Sequence, residues 1–446
     1  MTQTYKYLHF IKYLHFHRWD VKAYAFQHKA FDNAVLLRDI LTPYDIPLAK
    51  NEMLNNKWSI IAKINFSGKL FLRDPEGTKT FKGNVHKVDG ETLIYSKINV
   101  RHGCVYYHPK GAIPFGVSSE YPAYKINQER VNGDFLVLLL QSQYFKDALS
   151  AGTSGISKAR VKPSVFLDIQ IPLPSLEEQN KIVAAYNDTI DQADNYAQQA
   201  DNISDQIETY LKETLGIGIQ TSAKSDGSYR FMRIFQYRDI VNRWDINNVR
   251  GAYKGKFPFV NMADVIIKMS TGTTPPTHNK EYFNGDIDFY TPSDINGSMY
   301  LANAERHVSQ KAIKDNKARL FHKGDLLFVG IGSTVGKVGL IEKDIVSSNQ
   351  QITGITFNTQ KILPEYGFAY MHYFKEYTTA DQSKTTLPIV NQEKIAQIPI
   401  PLPPLAIQSE IVDNISALRA EQRNLQQQAS DLRTQAQLQF EQTIFE

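Results

Sequence analysis

"IPLPSLEEQNKIV" at residues 171–183 returns as "IPIPLPPLAIQSEIV" at 398–412. Ile171-Pro172-Leu173-Pro174 aligns with Ile400-Pro401-Leu402-Pro403, and Leu176, Gln179 and Ile182-Val183 align with Leu405, Gln408 and Ile411-Val412, all at an offset of 229. Proline fixes φ and withholds an N–H, so each Ile-Pro-x-Pro reads as an extended lead-in rather than as helix. Each lead-in gives way to a long stretch free of proline and glycine and rich in Gln, Ala, Asp, Glu and Leu, which reads as helix.

Working outward, the same offset recurs. "GVSSEYPAYKIN" (116–127) resembles "IVSSNQQITGITFN" (345–358), with Ser118-Ser119 matching Ser347-Ser348. Further upstream, "HRWDVKAY" (17–24) is echoed by "NRWDINNV" (242–249), 225 positions away. Matches in one order at nearly one offset mark a tandem duplication of about 225 residues. Arg18-Trp19-Asp20 and Arg243-Trp244-Asp245 are expected to mark one equivalent strand in each copy, with Trp filling a core corner and Asp tying a turn. Within each copy the segment before Ile-Pro-x-Pro is rich in Tyr, Phe, Ile and Val and broken by Gly, Pro and Asn-Gly turns, the pattern of a mixed, strand-rich domain.

The helical stretches carry a narrow apolar seam. In the first, Val183, Tyr186, Ile190, Ala193, Ala197, Ala200, Ser204, Ile207 and Leu211 recur at spacings of three and four. In the second, Ile411, Ile415, Leu418, Gln422, Leu425, Ala429, Leu432 and Ala436 do the same. That is a coiled-coil seam, with Gln422 as a register pin. About 39 residues make a rod of roughly 58 Å. Duplicated seams pair most simply with each other, antiparallel about a pseudo-two-fold axis. The expected fold is therefore α+β: two homologous mixed α/β domains separated by a long antiparallel two-helix coiled coil. The expected boundaries are 1–170 for the first domain, 171–215 for the first helix, 216–240 for a Gly/Ser-rich linker, 241–399 for the second domain and 400–446 for the second helix.

Charge points to a partner. The net charge is +4, but 176–215 holds nine acids and two bases, and 405–446 holds six acids and three bases. The remaining 364 residues therefore carry +14, and a basic body suits a polyanion. Candidate DNA contacts in the first domain are Lys69, Arg73, Lys79, Lys82, Lys97, Arg101, Lys110 and Arg160. In the second they are Thr273, Thr274, Thr277, Asn279 and Lys280 in one loop, then Ser333, Lys337, Ser348, Asn349 and Gln350. Lysine and arginine suit phosphates, and short polar side chains suit base edges. The longest apolar run, Phe135–Leu140, is six residues, far below the roughly 20 that cross a bilayer. The N-terminal residues lack a signal-peptide core, and the single Cys104 leaves no disulfide or zinc pattern, so a cytoplasmic protein with no membrane and no metal site is expected.

Enzymatic motifs fail on spacing. "GIGSTVGK" (330–337) suggests a phosphate loop, but Gly332 and Gly336 enclose three residues, Gly330 and Gly336 enclose five, and Val338 follows the lysine, where a Walker loop needs four and then Ser or Thr. A hairpin turn is the better reading. No methyltransferase Asn-Pro-Pro-Tyr or dinucleotide-binding glycine motif is present.

Taken together, the two Arg-Trp-Asp segments and the two Ile-Pro-x-Pro-x-Leu-x-x-Gln-x-x-Ile-Val closures resemble those of specificity subunits of type I restriction-modification systems. "STGTTPPTHNKEYFNGDIDFYTPSDI" (270–295) and "KGDLLFVGIGSTVGKVGLIEKDIVSSNQQITGI" (323–355) are similar to that family's recognition-domain blocks. Phe283 replaces the usual Trp, and Asp288-Phe289 the usual Pro-Trp. The first domain lacks the Gly-Thr-Pro opening but keeps "GETLIYSKI" (90–98) and "GCVYY" (103–107), comparable to "GDLLFVGIG" and "KVGLI". The resemblance implies a subunit without catalysis of its own. Its two target-recognition domains would each read half of a bipartite, asymmetric target in double-stranded DNA. Its coiled coil would dock two methyltransferase subunits, alongside restriction/translocase subunits. S-adenosylmethionine, Mg and ATP would sit on those partners, in a system of DNA methylation and antiviral defence. A module from a related defence or type II methylation system, and a basic scaffold without sequence preference, are the alternatives.

Overall fold

The computed structural model describes residues 31, 33–151, 160–217, 255–379 and 388–445. Both Arg-Trp-Asp segments and most of the 216–240 stretch lie outside these residues. The chain divides into two compact units, one of residues 1–196 with 427–446, the other of 197–426.

The first unit runs β1 (Ala34–Leu36), β2 (Leu41–Pro43), α1 (Lys50–Asn55), β3 (Ile61–Ile64), β4 (Leu70–Leu72), α2 (Pro75–Thr80), β5 (His86–Val88), β6 (Thr92–Tyr95), β7 (Val105–His108), β8 (Phe115–Val117), β9 (Ala123–Ile126), α3 (Gly133–Gln141), α4 (Gln143–Ala151), α5 (Pro163–Leu167), β10 (Gln170–Pro172) and α6 (Leu176–Leu215), the last shared between units. The second continues with β11 (Phe259–Asn261), β12 (Ile266–Thr271), β13 (Ile287–Tyr290), β14 (His307–Val308), α7 (Gln310–Lys314), β15 (Leu320–His322), β16 (Leu326–Val329), β17 (Val338–Leu340), β18 (Ile345–Ser348), β19 (Ile352–Phe357), α8 (Pro364–Tyr373), α9 (Lys375–Thr378), α10 (Gln392–Ala396), β20 (Pro399–Pro401) and α11 (Leu405–Phe445).

The duplication is written into the topology. The first unit has a sheet ordered β2-β9-β6-β7 and the second one ordered β12-β19-β16-β17. The Ile-Pro-x-Pro stretches are edge strands, where a missing N–H is tolerated. β10 pairs antiparallel with β1, placing Ile171 opposite Val35, and β20 pairs antiparallel with β11, placing Ile400 opposite Val260. Flanking bonds repeat too: Leu37 N donates to Ile169 O and Met262 N to Ile398 O, while Leu173 N donates to Asn33 O and Leu402 N to Pro258 O.

Gln179 and Gln408 give the closest correspondence. Both are wholly buried near the start of a long helix. The Gln179 carbonyl accepts from Asn132 N at 2.9 Å, and its amide donates to Arg130 O at 2.9 Å and Pro174 O at 2.8 Å. The Gln408 carbonyl accepts from Leu363 N at 2.8 Å, and its amide donates to Lys361 O at 2.9 Å and Pro403 O at 2.8 Å. One buried side chain thereby serves three backbone groups, tying each long helix to the start of α3 or α8.

Each unit pairs its own portions of the two long helices, antiparallel. In the second, Gln422 Nε2 donates to Ala200 O at 2.8 Å and Ser204 Oγ at 3.0 Å, and Asn414 Nδ2 to Tyr210 OH at 2.8 Å. In the first, Arg433 reaches Asp194 at 2.7 Å and Phe440 lies against Tyr186. Gln422 thus bonds across the pair as a register pin would. Val183, Ala193, Ala200, Ile207, Leu211, Ile411, Ile415, Ala429 and Ala436 are buried. Tyr186, Ile190, Leu418, Leu425 and Leu432 are half-buried. One seam position is corrected: Ile203, not Ser204, fills the core, and Ser204 is exposed with its hydroxyl accepting from Gln422. The seams also run into the sheet cores. Ile207, Leu211, Ile411 and Ile415 pack with Leu326, Phe328 and Tyr366, and Val183, Phe440 and Phe445 with Phe135, Leu139 and Phe166.

Between their shared sheets the units differ. β5 and β15 occupy equivalent places, each just before the central strand β6 or β16 and antiparallel to β8 or β18. Between β2 and β5 the first unit inserts α1, a β3–β4 hairpin and α2. Between β12 and β15 the second inserts β13, β14 and α7, with β13 parallel to β18.

Candidate nucleic-acid interface

In the second unit the loop after β12 is pressed onto the β18–β19 connection. Gly272 N donates to Ile352 O at 2.9 Å and Thr273 N to Ser348 O at 3.0 Å. A Cβ on Gly272 would lie 2.3 Å from Asn349 O, so only glycine allows this approach. The Thr274 hydroxyl bonds the Gln350 amide oxygen, and Gln392 Nε2 donates to Thr271 Oγ1 at 2.8 Å. Thr273, Thr274, Asn349 and Gln350 are therefore brought together. Beside them lies a cavity of about 310 Å³ whose lining includes Thr271, Gln350, Gln351, Asn391 and Gln392. Amides and hydroxyls that both donate and accept are the chemistry needed at base edges.

The other candidates of this unit are placed as follows. Thr277, Lys280 and Ser333 are exposed, and Lys337 is half-buried. Asn279 uses its carbonyl to cap the short helix Lys280–Tyr282, accepting from Glu281 N at 3.1 Å. Ser348 is wholly buried within β18, so it supports the strand and offers no contact surface. The 330–337 segment turns between antiparallel β16 and β17, with positive φ at Gly332 and Gly336, which is a hairpin as its glycine spacing suggests. Phe283, the replacement for Trp, packs edge-on against Phe289 at 6.3 Å with Arg306 over both rings. Asp288 is buried, faces Lys343 and His307, and accepts from Tyr290 OH and Ala304 N.

In the first unit the basic residues separate into groups. Lys69, Arg73, Lys79 and Lys82 are exposed along the β3–β4 hairpin and α2, with Arg73 5.2 Å from the Phe81 ring centroid. Arg160 pairs with Glu120 at 3.1 Å and Lys110 with Glu91 at 3.8 Å, so their charge is partly neutralised. Lys97 lines a separate cavity of about 280 Å³ with Tyr44, His86 and Tyr124, and Arg101 is half-buried in the short helix Val100–His102. Sequence reading missed Lys63, Phe66 and Phe71 on the hairpin. Their signal was the alternation of aromatic and basic residues in "KINFSGKLFLR" (63–73).

Among the described residues no helix is long and apolar enough to cross a membrane, and no cluster of three or more His, Cys, Asp or Glu is placed to hold a metal.

A twice-built sheet scaffold, clamped by buried glutamines to paired long helices and carrying different inserts in its two copies, defines a tandem-repeat protein. The chain belongs to the type I restriction-modification DNA specificity family, whose domain matches residues 35–208 and 254–431. It is 30% identical over 159 residues to the type I restriction enzyme MjaIX specificity subunit of Methanocaldococcus jannaschii, covering 33% of this chain and 35% of that one. It is 21% identical over 317 residues to the type I restriction enzyme EcoBI specificity subunit of Escherichia coli, covering 69% of this chain and 63% of that one. These matches thus span about a third and just under two thirds of the relatives' own lengths. A solved structure concerned with complex assembly and conformational transition of the type I restriction-modification system shares the fold, with a TM-score of 0.57 at 17% identity over 92% of this chain and 96% of that one.

Proposed function

We propose that the chain is the DNA-reading subunit of a type I restriction-modification complex and recognises a bipartite, asymmetric target, one half per unit. Its long helices dock methyltransferase subunits, and S-adenosylmethionine, Mg and ATP belong to the partners. The observation that carries this reading is the pairing of a shared scaffold with divergent inserts. Two equivalent frames present different side chains, amide- and hydroxyl-rich in one and aromatic and basic in the other, so their half-sites differ. Comparing genome-wide methylation in cells with and without the chain tests it. A split motif with two unlike halves, lost on deletion, is expected; a continuous or palindromic motif, or no change, refutes the reading.

A further inference from the structure

The hairpin "IAKINFSGKLFLR" (61–73) holds Lys63, Lys69 and Arg73 and no acidic residue. Among the described residues none of these three meets a carboxylate within 4 Å, unlike Arg160 and Lys110. Ile61 and Ile64 anchor the hairpin in the core, while three of its apolar side chains face outward: Phe66 is 65% exposed, Leu72 45% and Phe71 38%. The turn is held from within. Asn65 Oδ1 accepts from Ser67 N at 3.2 Å and Lys69 N at 2.7 Å, Gly68 N donates to Asn65 O at 3.0 Å, and Gly68 has φ +77°. Phe66 is thus presented at the tip of a fixed turn, its ring 5.2 Å from that of His102. Behind it, the Lys63 and Lys69 ammonium groups lie 5.2 and 5.9 Å from the Phe71 ring centroid.

A large apolar side chain in water, flanked by cations without counter-charges, fits a polyanion with flat apolar surfaces between its charges. Duplex DNA has that pattern: phosphates outside and stacked bases within. Proteins that use it insert an apolar wedge at a base step while basic residues hold the neighbouring phosphates. The hairpin also lies in the insert that distinguishes this unit from its twin, where residues that set a different half-site belong.

We infer that the β3–β4 hairpin is a DNA probe of the first unit, with Phe66 as a wedge that unstacks one base step of its half-site and Lys63 and Lys69 bound to the flanking phosphates. This rests on the DNA-reading function proposed above and names a specificity-determining residue within it.

The test uses the full chain with its methyltransferase subunits and a duplex carrying the motif defined by methylation mapping, with 2-aminopurine placed at each half-site position in turn. The wild-type complex should brighten the probe at one step of the first unit's half-site. Phe66→Ala should abolish that rise and weaken binding roughly 10-fold, the scale of one lost base–aromatic stack. The slope of log K against log salt should not change, because no charge is removed. Phe66→Trp should retain both signals. Replacing Lys63 and Lys69 by Ala should flatten that slope by roughly 2, near 0.9 per phosphate contact. Normal binding and normal brightening with Phe66→Ala overturn the inference while leaving the DNA reading intact. Intact DNA affinity with weakened assembly of the methyltransferase complex would reassign the hairpin to a protein contact and also overturns it. A wild-type complex that does not prefer the mapped motif removes both. At 65% exposure Phe66→Ala should leave the melting temperature unchanged, so a folding defect does not obscure the result.

Discussion

Replacing Gln408 by Leu isolates the clamp that fixes α11 to the second unit. The side chain is wholly buried and serves Leu363 N, Lys361 O and Pro403 O, at 2.8, 2.9 and 2.8 Å. Leucine fills similar space but offers no hydrogen bonds, so three backbone groups lose a partner, Pro403 O in a buried bond and Leu363 N and Lys361 O in partly buried ones. Each lost bond contributes about 1 kcal/mol, and a buried group left unsatisfied costs about 1–3 kcal/mol, so roughly 3–6 kcal/mol is expected in all. That is a large share of the roughly 5–15 kcal/mol that holds a typical domain together, and at about 2–4 °C per kcal/mol it lowers the melting point by roughly 6–24 °C. Calorimetry should show one early transition, and hydrogen exchange should place the loss at the start of α8. Gln408→Glu discriminates further. It can still accept from Leu363 N, but it turns two donors into a carboxylate facing two carbonyls, so it should be no better than Leu. Gln179→Leu should repeat the effect in the first unit. A loss below about 1 kcal/mol, or full rescue by Glu, would refute the assignment of this clamp.

Two further outcomes concern the packing. His372 stacks on Phe368 with Arg419 over the same ring, and burial, then Arg419, then Lys375, push its pKa down to about 4. The folded form stays neutral while the unfolded chain takes a proton below about pH 6.5, so stability is full above that value, falls as pH drops toward 4 and levels off below. The loss should approach about 3 kcal/mol at about 1.4 kcal/mol per unit, and His372→Gln should flatten the melting-point curve between pH 7 and 4; an unchanged slope counts against this. Phe440 is buried in the first unit between Phe135 and Tyr186, at ring distances of 5.9 and 6.4 Å. Phe440→Ala should cost about 3–5 kcal/mol there, read by urea unfolding with tyrosine fluorescence, and should leave the second unit's transition in place.

The repeat, the edge strands and the helical seams were legible because each obeys a local rule: proline spacing, period and offset. The failed Walker spacing likewise pointed to the hairpin that Gly332 and Gly336 form. The slip between Ile203 and Ser204 shows the limit, since steps of three and four are interchangeable in sequence and only the facing helix decides between them. Gln179 and Gln408 aligned perfectly as letters, yet their role depends on carbonyls at residues 130 and 361 that nothing local brings near. The interface was harder still. Ser348, a candidate contact by residue type, is enclosed by its sheet, while Phe66 and Phe71, which residue type alone did not single out, face solvent. Burial is a property of the assembled layers, and a pattern of residue types does not carry it.

Phe440 and Phe445 complete the core of the first unit, although the ribosome makes them only after the whole second unit. The amino-terminal half therefore emerges with a hole in its interior and waits through some 230 residues of synthesis before the plug arrives. During that interval the second unit can finish folding while its elder twin stays open, so a nascent chain cut short offers chaperones and proteases an unsealed hydrophobic surface. Order of manufacture and order of completion are thus reversed in this protein, the first unit's core closing only once Phe440 and Phe445 have been added.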